Sequence, residues 1–396
     1  MRITYIHQHF RVPTQAGGTR SWEFARRLAV EGHAVTMICG GTVRRTFREQ
    51  GFKVVQLPVS YSNSMGTARR IVAFLRFMAS ATWVALATPA DVVLASSTPL
   101  TVAVPGVVAA TIRRASFVLE VRDLWPEVPI ALGALHSKIS KFLAQRLEAV
   151  AYSRAVLIIA LSPGMRDGVL RIRPSAHVTV IPNACDRELF DIPKIDRLAF
   201  RQANGWGANE LVVVYAGSLG RVYDAQWSVK TAAHFVGEDV RFILIGDGAL
   251  RESCVQLADQ LGLDSGRLLL GPLSKYETAQ YVASADLALS TSISEPTLEP
   301  ASLNKVFDAL AAGRPVIFND EGWLSDLLCQ NEAGWKLSRD PRAAADQIRH
   351  IAASREEVLL ARERSRELAE THFLREDLYI TFRNTLLDAS RSRTHG

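Results

Sequence analysis

Short apolar runs separated by helix-length amphipathic stretches recur along the whole 396-residue chain. That alternation is the pattern of parallel sheets covered by helices on both faces. In the first half, the runs at 3–8, 34–39, 53–57, 92–95, 117–121, 155–161 and 178–181 predict strands. The stretches 18–31, 67–86, 100–113, 137–153 and 163–171 between them predict helices. The pattern restarts with predicted strands at 211–216, 241–245, 267–270, 287–290 and 316–318. Between the two runs lies DIPKIDRLAFRQANGWG, residues 191–207, a polar stretch with two glycines at its end that reads as a linker. A chain this long exceeds the size at which a single core stops growing. The expected architecture is α/β: two doubly wound, Rossmann-like domains facing each other across a cleft. They would span 1–195 and 196–370, and a C-terminal helix over 371–396 is free to cross back onto the first domain.

Charge is unevenly divided between the halves. Residues 1–195 hold 24 Lys and Arg against 12 Asp and Glu, a net of +12, while the remainder holds 22 against 28, a net of −6. A basic first half implies an anionic partner, either a phosphorylated substrate or an anionic membrane surface. Nucleic acid is disfavoured, because no basic–aromatic motif or known nucleic-acid module accompanies the charge. Cys39, Cys185, Cys254 and Cys329 show no paired or CxxC spacing, which argues for a reducing compartment and against a zinc site. The N-terminus MRITYIHQHF reads as a strand and carries no secretion signal. The apolar stretch Arg69–Ala87 is interrupted by Arg76, and the uncharged residues after it are too few to span a bilayer. It is either a core helix or an interfacial one with its arginines near lipid headgroups.

The stretch ASLNKVFDALAAGRPVI (Ala301–Ile317) has the makings of a binding site. A polar turn opens a short helix, Gly313 suits a left-handed helix terminus, and Pro315 bars its continuation. The helix would leave its first N–H groups free at the positive end of the dipole, an anion site that Lys305 reinforces. One turn on, Asp308 is placed to accept hydrogen bonds from a diol. A diphosphate with its ribose needs that combination, although an amphipathic helix whose Lys and Asp face water has the same spacing.

Three further constellations fall at predicted strand ends. The loop from His7 and His9 to Gly17, Gly18 and Arg20 lets a ligand approach the backbone closely and opens the first helix. It lacks the GxGxxG spacing, so no dinucleotide is implied, and the two histidines have no nearby acidic or Cys partner for a metal. EVRDLWPE delivers Arg122, Asp123 and Glu127 into a loop, where they either pair with one another or meet a polar ligand. Gly217-Ser218-Leu219-Gly220-Arg221 is a glycine-rich turn ending in a guanidinium suited to phosphate. The turns at Gly246–Gly248 and Gly271–Leu273 could shape a base pocket. There is no GxSxG elbow, P-loop or HExxH motif.

Taken in order, YIHQHF…GGTRSWEFARRLAVEGHAVTMI, EVRDLWPE, ALSPGM, IPNACDRELF, VVVYAGSLG, IGDG, NKVFDALAAGRPVI and GWLSDLL resemble the retaining GT-B glycosyltransferases of family 4. The likeness covers nearly the whole chain and extends to bacterial transferases that build O-antigen and capsular oligosaccharides, the fucosaminyl transferases among them. It implies a peripheral or cytoplasmic, metal-independent enzyme with no cofactor, using a nucleotide-sugar co-substrate, by analogy a UDP-sugar. The acceptor implied is a saccharide or a polyprenyl-diphosphate-linked one. On this resemblance the second domain holds the donor through Ser218, Arg221, Gly246, Leu273, Glu299, Ser302, Leu303, Asn304, Lys305 and Asp308. Gly17 and Gly18 press on the donor from the far side. The acceptor would meet His9, Arg20, Arg122 and Asp123, and the catalytic residues would be Asp123, Arg221 and Lys305. The chain departs from the family pattern at three places. Pro300 and Asp308 stand where two glutamates eight apart are common, with Glu295 and Glu299 nearby. No lysine follows Arg221, where Asp224 lies instead, and Arg122 replaces a histidine. Two other readings share the architecture: a nucleotide-sugar 2-epimerase and a non-catalytic sugar-nucleotide-binding subunit.

Overall fold

Strands buried on both faces read as continuous Val, Ile, Leu and Ala runs, and these runs form the centre of both sheets in the computed structural model, which describes residues 1–62 and 65–391. The first sheet contains β1 (Arg2–Ile6), β2 (Ala34–Gly41), β3 (Arg45–Glu49), β4 (Phe52–Pro58), β5 (Val92–Ser96), β6 (Ser116–Val121), β7 (Leu157–Ala160) and β8 (Val178–Val180). Their order is β3-β4-β2-β1-β5-β6-β7-β8. Every pairing is parallel except β3 with β4. The second sheet contains β9 (Leu211–Ala216), β10 (Val240–Ile245), β11 (Leu269–Leu270), β12 (Leu287–Ser290), β13 (Val316–Phe318) and β14 (Gly334–Lys336). It is parallel throughout, in the order β11-β10-β9-β12-β13-β14.

The helices of the first half are α1 (Arg20–Val30), α2 (Thr67–Ala87), α3 (Ala103–Arg113), α4 (Glu127–Ala131), α5 (Lys138–Arg154) and α6 (Pro163–Ile172). Those that follow are α7 (Arg187–Phe190), α8 (Lys194–Ala203), α9 (Ala225–Ala233), α10 (Arg251–Gln260), α11 (Ser265–Leu268) and α12 (Lys275–Ser284). The last are α13 (Asn304–Ala311), α14 (Trp323–Gln330), α15 (Pro341–Ala353), α16 (Arg355–His372) and α17 (Arg375–Arg391). Side-chain caps fix several of the starts. Ser162 accepts from the Met165 N–H, and Ser274 forms a reciprocal capping box with Glu277.

The polar stretch 191–207 is not an open linker. Most of it is α8, whose Phe200 meets Tyr281 of α12 edge-on at 4.9 Å and packs against Trp206. The chain passes between the cores earlier than the sequence suggests, since Ile181 is buried in the first core and Cys185 in the second. It returns at the far end. The Cys185 N–H donates to the Phe373 carbonyl at 2.7 Å, and Arg375 pairs with Asp186. Beyond that point α17 packs Tyr379, Phe382, Leu386 and Ala389 into the first core, where Phe382 stacks on Phe24 at 4.3 Å. One helix among the described residues, Ala68–Ala87, is long and apolar enough to cross a membrane. In the structure it is docked on the first sheet through Ala73, Phe77, Ala81 and Ala85, at four-residue intervals along one face.

Candidate active site

In a parallel sheet the loops at the strands' carboxyl ends gather along one edge, and here the two edges enclose a single cavity of about 770 Å³. The walls touch directly. The Lys275 N–H donates to the Pro13 carbonyl at 3.1 Å, and Asn183 Nδ2 donates to the Ser302 carbonyl at 2.6 Å. Gly18 lies against Asn304 so closely that a Cβ there would come within 2.8 Å of Asn304 Nδ2. Gly246 has φ of +144° and a Cβ would meet the Gly217 carbonyl oxygen at 1.9 Å, so the position tolerates only glycine.

The first-domain wall carries His7, His9, Gly17, Gly18, Arg122 and Asp123. Arg122 Nη1 donates to His7 Nε2 at 3.3 Å, which leaves the ring proton on Nδ1, 2.7 Å from Ser21 Oγ. Burial and the neighbouring arginines hold both histidines uncharged, His7 well below its usual range and His9 lowered to about 3. Burial acts the other way on Asp123 and raises it to about 6, with Arg122 opposing. Beside these groups runs a row of rings: His9 meets Tyr61 at 4.3 Å, Tyr61 stacks on Phe74 at 5.5 Å, and Phe74 meets Trp125 edge-on at 6.2 Å.

The second-domain wall carries Ser218, Gly246, Leu273, Ser302, Leu303, Asn304, Lys305 and Asp308. Helix α13 begins at Asn304 after Leu303, so its free N–H groups open on the cavity. Lys305 is not a solvated flank. Its Nζ is buried, lies over the rings of Tyr215 at 4.2 Å and Tyr223 at 4.8 Å, and among the described residues has no hydrogen-bond partner. Burial lowers it to about 7, and the charge of Asp320 draws it back up. A lysine held this way can take an anion that enters the cavity as its counterion.

Four expected site residues stand elsewhere or are engaged differently. Arg221 sits in a short 3₁₀ turn, Arg221–Tyr223, with its side chain exposed and outside the cavity, because that turn directs Tyr223 inward instead. Glu299 is exposed and also outside the cavity; its carbonyl accepts from the Trp323 N–H at 3.4 Å while Pro300 packs on Gly164. Asp308 lines the cavity but already holds both carboxylate oxygens on Lys275 Nζ, at 2.7 and 2.6 Å. Arg20 is a core strut and not an acceptor contact. Its Nε donates to Glu120 Oε1 at 2.8 Å, Nη2 to the Ile181 carbonyl at 2.9 Å, and Nη1 to the Pro182 carbonyl. Burial works to raise Glu120, but Arg20, Arg122 and the Ser96 hydroxyl outweigh it and hold that carboxyl below its usual range. Arg20→Met strands this carboxylate and is expected to destabilise the protein by about 3–5 kcal/mol. Urea unfolding checks it; an unchanged midpoint with a raised acceptor KM would restore Arg20 to the acceptor site.

Sequence reasoning missed Lys275, Tyr215, Tyr223, Asp320 and the rings Tyr61, Phe74 and Trp125. Tyr215, Phe74 and Trp125 lay within stretches already singled out, VVVYAGSLG, Arg69–Ala87 and EVRDLWPE, but none was read as a site residue. Among the described residues no group of three or more His, Cys, Asp or Glu side chains is placed to hold a metal ion.

Two Rossmann-like sheets whose carboxyl edges enclose one cleft define the GT-B architecture. The solved structures it resembles share it end to end. Sucrose-phosphate synthase from Thermosynechococcus elongatus superposes with a TM-score of 0.77 at 18% identity, covering 99% of both chains. Anabaena Alr3699/HepE, solved with UDP and glucose, gives 0.73 at 20% identity over 98% of this chain and all of that one. The lipopolysaccharide glycosyltransferase WaaG gives 0.67 at 17% identity over the whole of both chains. Residues 16–184 match the family described as Glycosyl transferase 4-like domain, and residues 210–354 match Glycosyl transferases group 1. The probable glycosyltransferase WbjE of Pseudomonas aeruginosa is 26% identical over 75% of this chain and 74% of its own. The chain belongs to the GT-B glycosyltransferases of family 4.

Proposed function

We propose that the protein is a retaining glycosyltransferase that moves a sugar from a UDP-sugar to a saccharide or lipid-linked saccharide acceptor in cell-surface polysaccharide biosynthesis. The observation that carries this reading is Lys305: a buried, unpaired ammonium in the cleft beside the open N-terminus of α13. That arrangement suits the diphosphate of a nucleotide sugar, and the HepE structure with UDP supports uridine as the base. The bond from the anomeric carbon to the β-phosphate oxygen breaks as charge gathers on the departing phosphate, where Lys305 and the backbone N–H groups stabilise it. The acceptor oxygen bonds to the same face of the anomeric carbon, and its proton passes to the departing phosphate. Asp123, ionised above about pH 6, orients the acceptor hydroxyl from the opposite wall. The ribose lies towards Asp308, which the Lys275 pair holds in place. The four cysteines are free thiols, in keeping with a cytoplasmic site of action.

The test is a thermal-shift panel of nucleotide sugars, followed by product analysis with polyprenyl-diphosphate saccharides. UDP release that depends on acceptor, with the anomeric configuration retained, is the expected result. An isomerised donor without acceptor would make the protein an epimerase. Donor binding with no turnover of any kind would make it a binding subunit.

A further inference from the structure

Parallel strands gather their amino ends along the edge opposite the cleft, where the helices leading into them end. In the second sheet that edge, just before β9, β10, β12 and β13, borders another cavity of about 590 Å³, which α8, α15 and α16 help to wall. Six arginines and four carboxylates line it. Most of the acids are already engaged. Glu210 pairs with Arg241 at 2.9 Å and Glu238 with Arg349 at 2.8 Å. Asp286 serves two guanidiniums at once, Arg201 Nη1 at 3.0 Å and Arg362 Nη2 at 2.5 Å. Asp239 is exposed and has no ion pair among the described residues.

Among the described residues, Arg197, Arg314 and Arg355 have no carboxylate. Arg314 is 2% exposed. Its Nε donates to the Ala312 carbonyl at 3.1 Å and its Nη1 to the Ala285 carbonyl at 3.0 Å, at the ends of α13 and α12. Those carbonyls satisfy two donors but carry no full charge, and Nη2 has no partner among the described residues. The Arg197 guanidinium makes no hydrogen bond there at all, and its Nε is buried, as is the unpartnered Nε of Arg362. Burial and the nearby charges of Arg362 and Arg366 hold Arg197 below its usual range, against the pull of Asp191 and Asp286.

Guanidiniums gathered round one shared carboxylate repel each other, and an anion with two or more charges offsets that repulsion. Their forked donors match phosphate oxygens. The charges converge on a cavity and do not run along a surface track, which fits a small molecule better than a nucleic acid. Beside them Leu198 and Leu359, 56% and 57% exposed, offer an apolar surface larger than a bare ion needs.

We propose that this cavity binds a phosphate-bearing small molecule, with its phosphate on Arg197, Arg314 and Arg362 and the rest of it against Leu198 and Leu359. The site is separate from the cleft, since it lies at the other edge of the sheet from Lys305. An occupant ties α8 to α16. Helix α8 follows the crossing at Cys185, and α16 ends beside Phe373, whose carbonyl accepts from the Cys185 N–H, so occupancy braces both connections between the domains. The inference goes beyond the glycosyl-transfer reading and does not depend on it.

The experiment is titration calorimetry of the full chain with sodium pyrophosphate in the Lys305→Ala background, which removes the cleft ammonium. Binding at one site per chain is expected to remain. Adding Arg197→Gln should weaken it by about tenfold or more, the loss of one charge-assisted hydrogen bond. That side chain holds nothing in the fold, so the variant should keep the parent's urea midpoint. Absence of binding at millimolar pyrophosphate in the Lys305→Ala protein would overturn the proposal. So would binding that Arg197→Gln leaves unchanged, which would put the anion elsewhere on the chain.

Discussion

Lys305→Ala is expected to lower kcat/KM by about two to three orders of magnitude, some 2.7–4 kcal/mol of transition-state stabilisation. Among the described residues the ammonium has no hydrogen-bond partner to hold it; two phenol rings and the charge of Asp320 are the favourable surroundings it has there. Burying an uncompensated charge destabilises the free protein, and that is the origin of its lowered pKa. On the proposed reading the compensating charge arrives with the substrate and grows as the diphosphate leaves. The same substitution should therefore make the unliganded protein more stable. The sign follows from linkage: Lys305 binds its proton less tightly folded than unfolded, so the folded state is penalised fully below about pH 7, and the penalty fades as pH rises towards the unfolded value. Activity assays paired with urea unfolding at pH 6 and pH 10 check both halves, with the gain in stability expected at the lower pH. A variant that loses stability at pH 6, or keeps its turnover, removes Lys305 from the diphosphate site. Arg221→Ala, by contrast, removes an exposed cation outside the cavity and should change kcat/KM by no more than about threefold.

The difference between those two residues shows what the sequence makes legible. Strand positions such as Val92–Ser96 were readable because burial on both faces leaves an uninterrupted apolar run. The β3 edge strand, RTFRE, escaped because an edge carries charge to discourage further pairing and so looks like loop. At the site, the backbone features were readable from local punctuation: Gly313 and Pro315 close α13, and its open N-terminus follows. Side-chain direction was not. Arg221 and Lys305 both follow a turn and both looked like cleft cations, yet a 3₁₀ turn sends one outwards while β9 and Tyr223 enclose the other. Pairs far apart in sequence were equally hidden. Arg20 and Glu120 meet across 100 positions and Lys275 and Asp308 across 33, and no local spacing records either contact. A motif locates a loop, and only the packed core decides which of its groups remain free for a ligand.

That selection sets the pH dependence. On the proposed reading two groups across the cleft must be charged together: Asp123 as carboxylate to orient the acceptor, and Lys305 as ammonium to meet the diphosphate. Burial pushes their pKa values towards each other, Asp123 up to about 6 and Lys305 down to about 7. The productive state thus gains Asp123 ionisation as pH rises through 6 and loses Lys305 protonation as pH rises through 7. The histidines add nothing to this window, since both are held neutral well below it. Measured as kcat/KM, which reports the free enzyme, the profile should be a narrow bell centred near about pH 6.5 and falling roughly tenfold per unit on either side. The two limbs can be assigned separately. Asp123→Asn should flatten the acid limb and lower the maximum by about two orders of magnitude, because the amide keeps the shape but not the charge. Lys305→Ala should flatten the alkaline limb. With donor at saturation, kcat should lose the alkaline limb near 7 even in the wild type, because the bound diphosphate raises the Lys305 pKa again. A broad plateau from pH 6 to 9 in wild-type kcat/KM would mean that Lys305 is not the group that meets the donor.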